Sequence, residues 1–417
     1  MTRRGVVRVP GDKSISHRAL ILAALSSGES RIAGILESAD VLSTASILRH
    51  LGVRIPALSA EMRIQGKGLR GLTASVSSLD AGNSGTTVRL MAGVAAGHPF
   101  RSRFEGDASL SRRPMKRIAE PLTAMGATFE FARGDGLPMT IHGASLSGIS
   151  WNTRASSAQT KSAILLAGLV GGVPVSVRES RRSRDHTERM LASLGAPVTV
   201  DELTVSLSPV DSLAPLDLVI PGDPSSAAYF VALAVLGDIP VELPRVCLNK
   251  TRTGFLEALK RMGAEIDCID KVAIAGDSVA TVRANPGKLS GLAVTAEDIP
   301  AMIDELPLLA CVAAGAGVEL RVTGAAELRV KESDRIAAVV SNLRAVGADA
   351  QELDDGFTVA GTGKALRGEV VTHGDHRIAM SFGVLGQLEG NNIRIDDRDC
   401  VAVSYPRFWA DLQSLRR

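Results

Sequence analysis

The sequence predicts an α/β (α+β) protein of two domains, each made of three βαβαββ units with buried, parallel helices. Three observations lead there. The chain has 417 residues, 45% of them hydrophobic and 22% charged, which is too long for one typical domain and ample for two cores. A pattern of apolar-periodic helix, glycine and alternating strand recurs five times, as LRHLGVRI, LTAMGATFEF, LASLGAPVTV, LKRMGAEIDC and LRAVGADAQE. Its glycines, Gly52, Gly126, Gly195, Gly263 and Gly347, lie 74, 69, 68 and 84 residues apart. A glycine just past a helix end accepts positive φ cheaply and stops the helix. A second pattern interleaves with the first. Polar clusters starting near residues 11, 82, 156, 222, 304 and 374 each run into an Ala/Leu-rich helix that is apolar nearly all round, the mark of a buried helix. A period of about 70 residues exceeds that of a solenoid repeat. It suits a unit with one buried helix and one surface helix.

Each polar cluster stands where a buried helix starts, and such a start carries about half a positive charge and free N–H groups. If the six starts converge between two domains, the cleft traps anions. In VPGDKSISHRALILAAL (9–25), Lys13, Ser14 and Arg18 read as a solvated, capped first turn, or as a phosphate site combining N–H groups, a hydroxyl, a point charge and a guanidinium fork. The Walker A spacing is absent. GNSGTTVRL (82–90) reads as a helix cap after a turn, or as a close backbone approach to a ligand that a Cβ at Gly85 would obstruct. SLSRRPMKRI (109–118) sets Arg112, Arg113, Lys116 and Arg117 around Pro114, as a solvated basic turn or a loose basic cluster. SAQTKSAILL (157–166) offers Ser157, Gln159 and Lys161, and SRDHTERM (183–190) offers Arg184, Asp185 and His186. Each of these two by itself reads as surface helix. In IPAMIDELPLLA (299–310), Asp304 and Glu305 interrupt a buried run. An unpaired buried carboxylate is costly, so at least one caps, pairs or faces a cleft; a general base tuned by partial burial is the alternative. LRVKESDRIAA (328–338), with Lys331, Glu332, Asp334 and Arg335, reads as a salt-bridged helix start. GDHRIAM (374–380) reads as a local pair of Asp375 and Arg377 flanking His376. Together, basic and acid–base groups stand at one end of several buried helices. Two doubly anionic small ligands suit that arrangement, and so does a single phosphorylated one.

Composition excludes other classes. The net charge is +2, from 47 basic and 45 acidic residues, so no bulk polyelectrolyte partner is indicated. Aromatics at 3% argue against base stacking and hence against nucleic acid. Cys247, Cys268, Cys311 and Cys400 lack CxxC spacing and read as buried thiols in a reducing compartment, not as a zinc site or disulfide frame. MTRRGVVRVPGDKS has no signal-peptide core. Apolar stretches such as ILLAGLVGGVPVSV are broken by glycine and shorter than the ~20 residues of a membrane span. A soluble cytoplasmic protein is expected.

The motifs VPGDKSISHRALILAAL, DAGNSGTTVRL, LSRRPMKRI, SAQTKSAILLAGL, IPAMIDELPLLA, RVKESDR and GDHRIAM occur in the order seen in the 5-enolpyruvylshikimate-3-phosphate synthase family. The resemblance covers essentially the whole chain. GNSGTT, KSAILL and SRDHTERM resemble the bacterial branch that includes glyphosate-tolerant members. The resemblance implies a two-domain enolpyruvyl transferase-like fold in which the chain crosses twice. The domains expected are 1–11 plus 222–417, and 12–221, with the active site in the interdomain cleft. The reaction implied is transfer of enolpyruvyl from phosphoenolpyruvate to the 5-hydroxyl of shikimate 3-phosphate, with release of phosphate through a tetrahedral addition–elimination intermediate. The implied setting is the shikimate pathway to chorismate and the aromatic amino acids. No metal or organic cofactor is implied, and the family default is a monomer.

By motif, Ser14, Arg18, Ser157 and Arg184 resemble the shikimate 3-phosphate contacts, with Gln159 near both ligands and Lys331 on the ring hydroxyls. Lys13 and Arg113 resemble ligands of the phosphoenolpyruvate phosphate, with Lys13 also a proton carrier. Asn83 and Gly85 line that pocket, and Arg335 and Arg377 match its carboxylate clamp. Asp304, also on shikimate 3-phosphate, matches the general base on the 5-hydroxyl. Glu332 matches the acid–base group at C3, with His376 as neighbour. One position departs: in VAVSYPRF, Val403 stands where the best-studied branch carries a lysine on the phosphoenolpyruvate phosphate. One charge contact fewer costs on the order of 1.5–3 kcal/mol if uncompensated. Intermediate sensitivity to glyphosate, which occupies the same anion site, is therefore expected.

Two rivals are weighed. A UDP-N-acetylglucosamine enolpyruvyl transferase shares the architecture and usually carries a mobile-loop cysteine, but SLSRRPMKR has none. A non-catalytic polyanion-binding protein on the same scaffold predicts a continuous basic face. It sits poorly with near-zero net charge and with both Asp304 and Glu332 retained.

Overall fold

The sheets account for the period. In the computed structural model, which describes residues 4–153 and 156–415, strand Ile149–Asn152 pairs in parallel with Val175–Arg178. Val175–Arg178 then pairs antiparallel with Thr204–Leu207, and that strand with Val198–Asp201. This is one crossover followed by one hairpin. The sheet of Leu79–Asp80, Arg101–Glu105, Met139–His142 and Thr128–Phe131 repeats the pattern. So does the sheet of Leu292–Val294, Leu320–Val322, Gly356–Ala360 and Asp349–Leu353. The sixth sheet has two parallel strands, Arg367–Val370 and Asn392–Ile395. After it the charged run DDRD offers no alternating apolar residues, and the chain turns into helix Phe408–Ser414 in place of a hairpin.

Two sheets are closed by distant segments. Asp217–Val219 pairs in parallel with Glu29–Ala33, and Gly5–Val6 pairs in parallel with Val241–Cys247. By contact the chain divides into two compact units. One comprises Gly11–Ile220 with Ile274–Asp277; the other comprises Met1–Pro10, Pro221–Ala273 and Ser278–Arg417. They are called the first and second unit below.

Six apolar helices form the two cores: α1 (Lys13–Leu25), α2 (Gly85–Ala96), α3 (Ala158–Gly171), α4 (Pro224–Leu236), α5 (Leu306–Ala316) and α6 (His376–Leu385). Nearly every residue beyond their first turns is buried. Five are capped by a side chain that accepts a backbone N–H: Asp12, Ser84, Ser157, Asp223 and Asp375. Such caps satisfy donors that the helix itself leaves orphaned. Helix α5 is instead led in by the 3-10 turn Ile303–Glu305. Helices α2 and α3 touch at Gly93, where a Cβ would lie 2.2 Å from the Ala163 carbonyl oxygen. The five glycines of the first pattern have φ between +83° and +118° and end their helices as expected. No helix among the described residues is long and apolar enough to cross a membrane.

Candidate active site

In the first unit, hydrogen bonds tie together the first two turns of α1, α2 and α3, so these helices start at one end. His17 Nδ1 lies 2.7 Å from Thr44 Oγ1, Thr44 Oγ1 lies 2.7 Å from Thr87 Oγ1, and Thr87 Oγ1 donates to Ser84 Oγ at 2.8 Å. Arg89 on α2 donates to Gln159 Oε1 on α3 at 3.0 Å. Arg18 is buried, and its guanidinium donates to Thr187 Oγ1 at 2.7 Å, Ser162 Oγ at 2.9 Å and the Ser14 carbonyl at 2.9 Å. Expected as a shikimate 3-phosphate contact, Arg18 here joins α1 to α3 and to helix His186–Ser193.

The remaining cations cluster over these starts. Lys13 Nζ sits 3.0 Å from Asp40 Oδ2. Arg113 is buried and not solvated; its Nη2 donates to Asn83 Oδ1 at 2.7 Å. Asn83 in turn donates to Asp107. A Cβ at Gly85 would lie 2.6 Å from Arg89 Nη1 and 3.3 Å from Arg113 Nη1, so the glycine gives both guanidinium groups room. Ser157 Oγ accepts Thr160 N–H, and Gln159 donates to Thr86 Oγ1. Arg184 lies half-buried in the turn before helix His186–Ser193. That helix is largely buried, not the surface helix that SRDHTERM alone suggests. Lys161, with 1% of its side chain exposed, is likewise core. Burial, with Lys13 and Arg18 nearby, holds the His17 imidazole well below its ordinary pKa of 6.5 and therefore neutral.

In the second unit the hub is Arg335, fully buried at the start of helix Arg335–Ala345. Its Nε donates to Asp375 Oδ2 at 2.8 Å, its Nη2 to Glu332 Oε2 at 2.6 Å and its Nη1 to Asp304 Oδ1 at 3.1 Å. Burial alone would lower its pKa; Asp375, Glu332 and Asp304 outweigh that and raise it. Lys331 Nζ stands 3.7 Å from Asp304 Oδ1. Asp375 therefore does not pair with the Arg377 guanidinium, as GDHRIAM suggests. It caps α6 by accepting the Arg377 N–H and forms its ion pair with Arg335, 40 residues earlier. Arg335, expected in the carboxylate clamp, is engaged by three carboxylates, in line with the salt-bridged helix start that its motif suggests. Arg377 is the less committed cation: it is buried, and its one side-chain hydrogen bond among the described residues is a 3.5 Å contact with Tyr229 Oη. His376 is buried in the first turn of α6. Val403 ends the 3-10 turn Asp399–Val403.

Within the second unit, Arg335 and Lys331 thus stand beside carboxylates at 16% and 22% side-chain exposure, Asp304 and Glu332. Comparison with known proteins gives the chemistry a family. The model of EPSP synthase (3-phosphoshikimate 1-carboxyvinyltransferase) matches residues 2–412. A 3-phosphoshikimate 1-carboxyvinyltransferase of Sulfurihydrogenibium sp. is 46% identical, over 99% of this chain and 97% of that protein. One from Roseiflexus castenholzii is 44% identical over the same shares. The chain belongs to the EPSP synthase family. The family is one of enzymes, and the chain is a transferase of that family.

The structure of EPSP synthase from Acinetobacter baumannii superposes with a TM-score of 0.87 at 40% identity, covering 99% of this chain and 95% of that one. The enolpyruvyl transferase NikO from Streptomyces tendae shares the fold, at TM-score 0.75 and 17% identity over 100% and 95% of the chains. Within this EPSP synthase-family chain, sequence reading passed over Asp40, Arg89 and Asp375 as members of the site. Arg89 carried a signal: a lone cation in a helix otherwise destined for burial needs a partner, and GTTVRLMAGVAA contains no carboxylate.

Proposed function

We propose that the chain transfers the enolpyruvyl group of phosphoenolpyruvate to the 5-hydroxyl of shikimate 3-phosphate and releases phosphate. The observation that carries this is the second unit's acid pair. Asp304 and Glu332 share the Arg335 guanidinium, which fixes two carboxylates at one place. In the proposed step, Asp304 takes the hydroxyl proton while the oxygen bonds to C2 of phosphoenolpyruvate, and a proton is delivered to C3 from Lys13 or Glu332. The tetrahedral adduct then loses phosphate from C2 and a proton from C3, which restores the double bond. Arg377 suits the planar carboxylate, for which a guanidinium fork is shaped. Lys13, Arg113, Asn83 and Gly85 suit the phosphate of phosphoenolpyruvate. Ser14, Arg18, Ser157, Gln159, Arg184 and Lys331 suit shikimate 3-phosphate, and His376 suits the part of a neighbour to the C3 acid–base group.

The reading draws on both units, 12–221 for phosphates and 1–11 plus 222–417 for acid–base work, and requires both sets to meet on one substrate pair. It extends to a cytoplasmic monomer without nucleic-acid or membrane partners. Light scattering on the purified chain tests the oligomeric part.

Phosphate release from phosphoenolpyruvate tests the reaction, with shikimate 3-phosphate or UDP-N-acetylglucosamine as acceptor. Release is expected only with the first. Asp304→Ala and Glu332→Ala are each expected to lower it by about 10²–10⁴-fold, the usual worth of a placed acid–base group. No release with either acceptor from folded protein overturns the reading. A glyphosate titration of the same assay is expected to show intermediate inhibition because of Val403; inhibition as tight as in the lysine-bearing branch refutes that part.

A further inference from the structure

Within the first unit, a cavity of about 290 Å³ lies between α3, helix His186–Ser193 and the hairpin Val198–Leu207. That is the size of the smallest ligand pockets. Val198, Val200, Leu203 and Val205 supply apolar wall, and Lys161, Glu179 and Glu188 supply the polar end. The three charged side chains are 1%, 3% and 4% exposed. Lys161 Nζ lies 2.7 Å from Glu179 Oε2 and 2.7 Å from Glu188 Oε1. Glu179 Oε1 accepts the Ser183 hydroxyl. Glu188 Oε2 is buried without a hydrogen-bond partner among the described residues.

Two carboxylates against one ammonium leave a formal excess of one negative charge at the buried end. The rim does not cancel it. Arg182 and Arg189 are matched there by Asp185 and Glu202, and Arg189 is paired with Asp185 at 2.9 Å. A buried acceptor without a donor costs on the order of 1–3 kcal/mol, which a ligand bringing the donor recovers. Burial pushes the Glu188 carboxyl's pKa up against the opposing pull of Lys161, in keeping with the missing second partner. None of the substrate-contacting residues proposed above lines this space.

We propose that this cavity is a separate binding site for a small primary ammonium compound, its head donating to Glu188 Oε2 and its compact apolar body lying on Val198, Val200, Leu203 and Val205. A neutral analogue lacks the charge, and an anion meets repulsion from Glu188.

Calorimetric titration of the full chain tests this without using its catalytic activity. The probes are 2-phenylethylamine, 2-phenylethanol and phenylacetate. The amine is expected to bind, with the alcohol roughly tenfold weaker or more and phenylacetate not binding. Glu188→Gln is expected to lower amine affinity by roughly tenfold. Val200→Trp, at a position 57% exposed on its strand, fills the mouth without touching the core and is expected to abolish binding. Circular dichroism confirms that each variant is folded. The proposal is overturned by no amine binding up to about 10 mM, by equal binding of amine and alcohol, or by affinity unchanged in folded Glu188→Gln. If Glu188→Gln does not fold, amine binding that survives Val200→Trp overturns it.

Discussion

His17 shows how one buried side chain can couple a site to pH. It is fully enclosed, hydrogen-bonded to Thr44, and held neutral by burial and by Lys13 and Arg18. Its folded pKa is below 6.5, so below about pH 6.5 the unfolded chain takes up a proton that the folded chain refuses. Stability then falls as pH drops, by up to about 1.4 kcal/mol per pH unit for one such group. His98, lowered mainly by burial, adds in the same direction. The urea midpoint is expected to fall between about pH 7 and 5, and to fall less in His17→Gln; identical slopes in the two proteins would contradict this. Gly85 is the other telling residue. A methyl group there would press on Arg89 Nη1 at 2.6 Å, the flexible end of a side chain. Gly85→Ala is therefore expected to leave the protein folded and to raise KM for phosphoenolpyruvate by roughly tenfold, about 1.4 kcal/mol. Steady-state kinetics with each substrate varied in turn checks that KM for shikimate 3-phosphate changes less.

Elements are held by what crosses from one to the next. Arg335 ties the 3-10 turn before α5, the loop at Glu332 and the cap of α6 into one cluster. Arg335→Met would leave Asp375, which is 0% exposed, without its counter-charge. Such a loss costs about 3–5 kcal/mol, read as a lowered thermal midpoint. Lys331→Met removes a 3.7 Å contact at 24% side-chain exposure and is expected to cost less than about 1 kcal/mol. Equal losses in the two variants would refute the hub. The same elements show what a sequence can disclose. The caps at Asp12 and Ser84 and the stop glycines were legible because each is decided within a few residues, whereas the cap at Asp375 was read as a pair with Arg377. Pairings such as Arg18 with Thr187, 169 residues apart, or Arg335 with Asp375 depend on where helices meet, and no local pattern carries that. So the part that Arg18 and Arg335 play as ties between elements was missed.

At the scale of the whole molecule, each unit is completed by a strand from elsewhere in the chain: Asp217–Val219 in the first, Gly5–Val6 in the second. Deleting residues 1–8 removes the parallel neighbour of Val241–Cys247 and bares its edge. Limited proteolysis of that variant is expected to cut first between residues 222 and 417, far from the deletion; first cuts within 12–220 would argue against it. The same feature sets a timetable for synthesis. Gly5 and Val6 leave the ribosome well ahead of their partner Val241–Cys247, which follows more than 230 residues later. At about 5–20 residues per second that is a wait of about 10–50 s. The opening strand is short and follows the basic run TRR, features that blunt an edge against stray pairing. A newborn chain thus carries one strand of its second unit through more than 230 residues of synthesis before that strand has a partner.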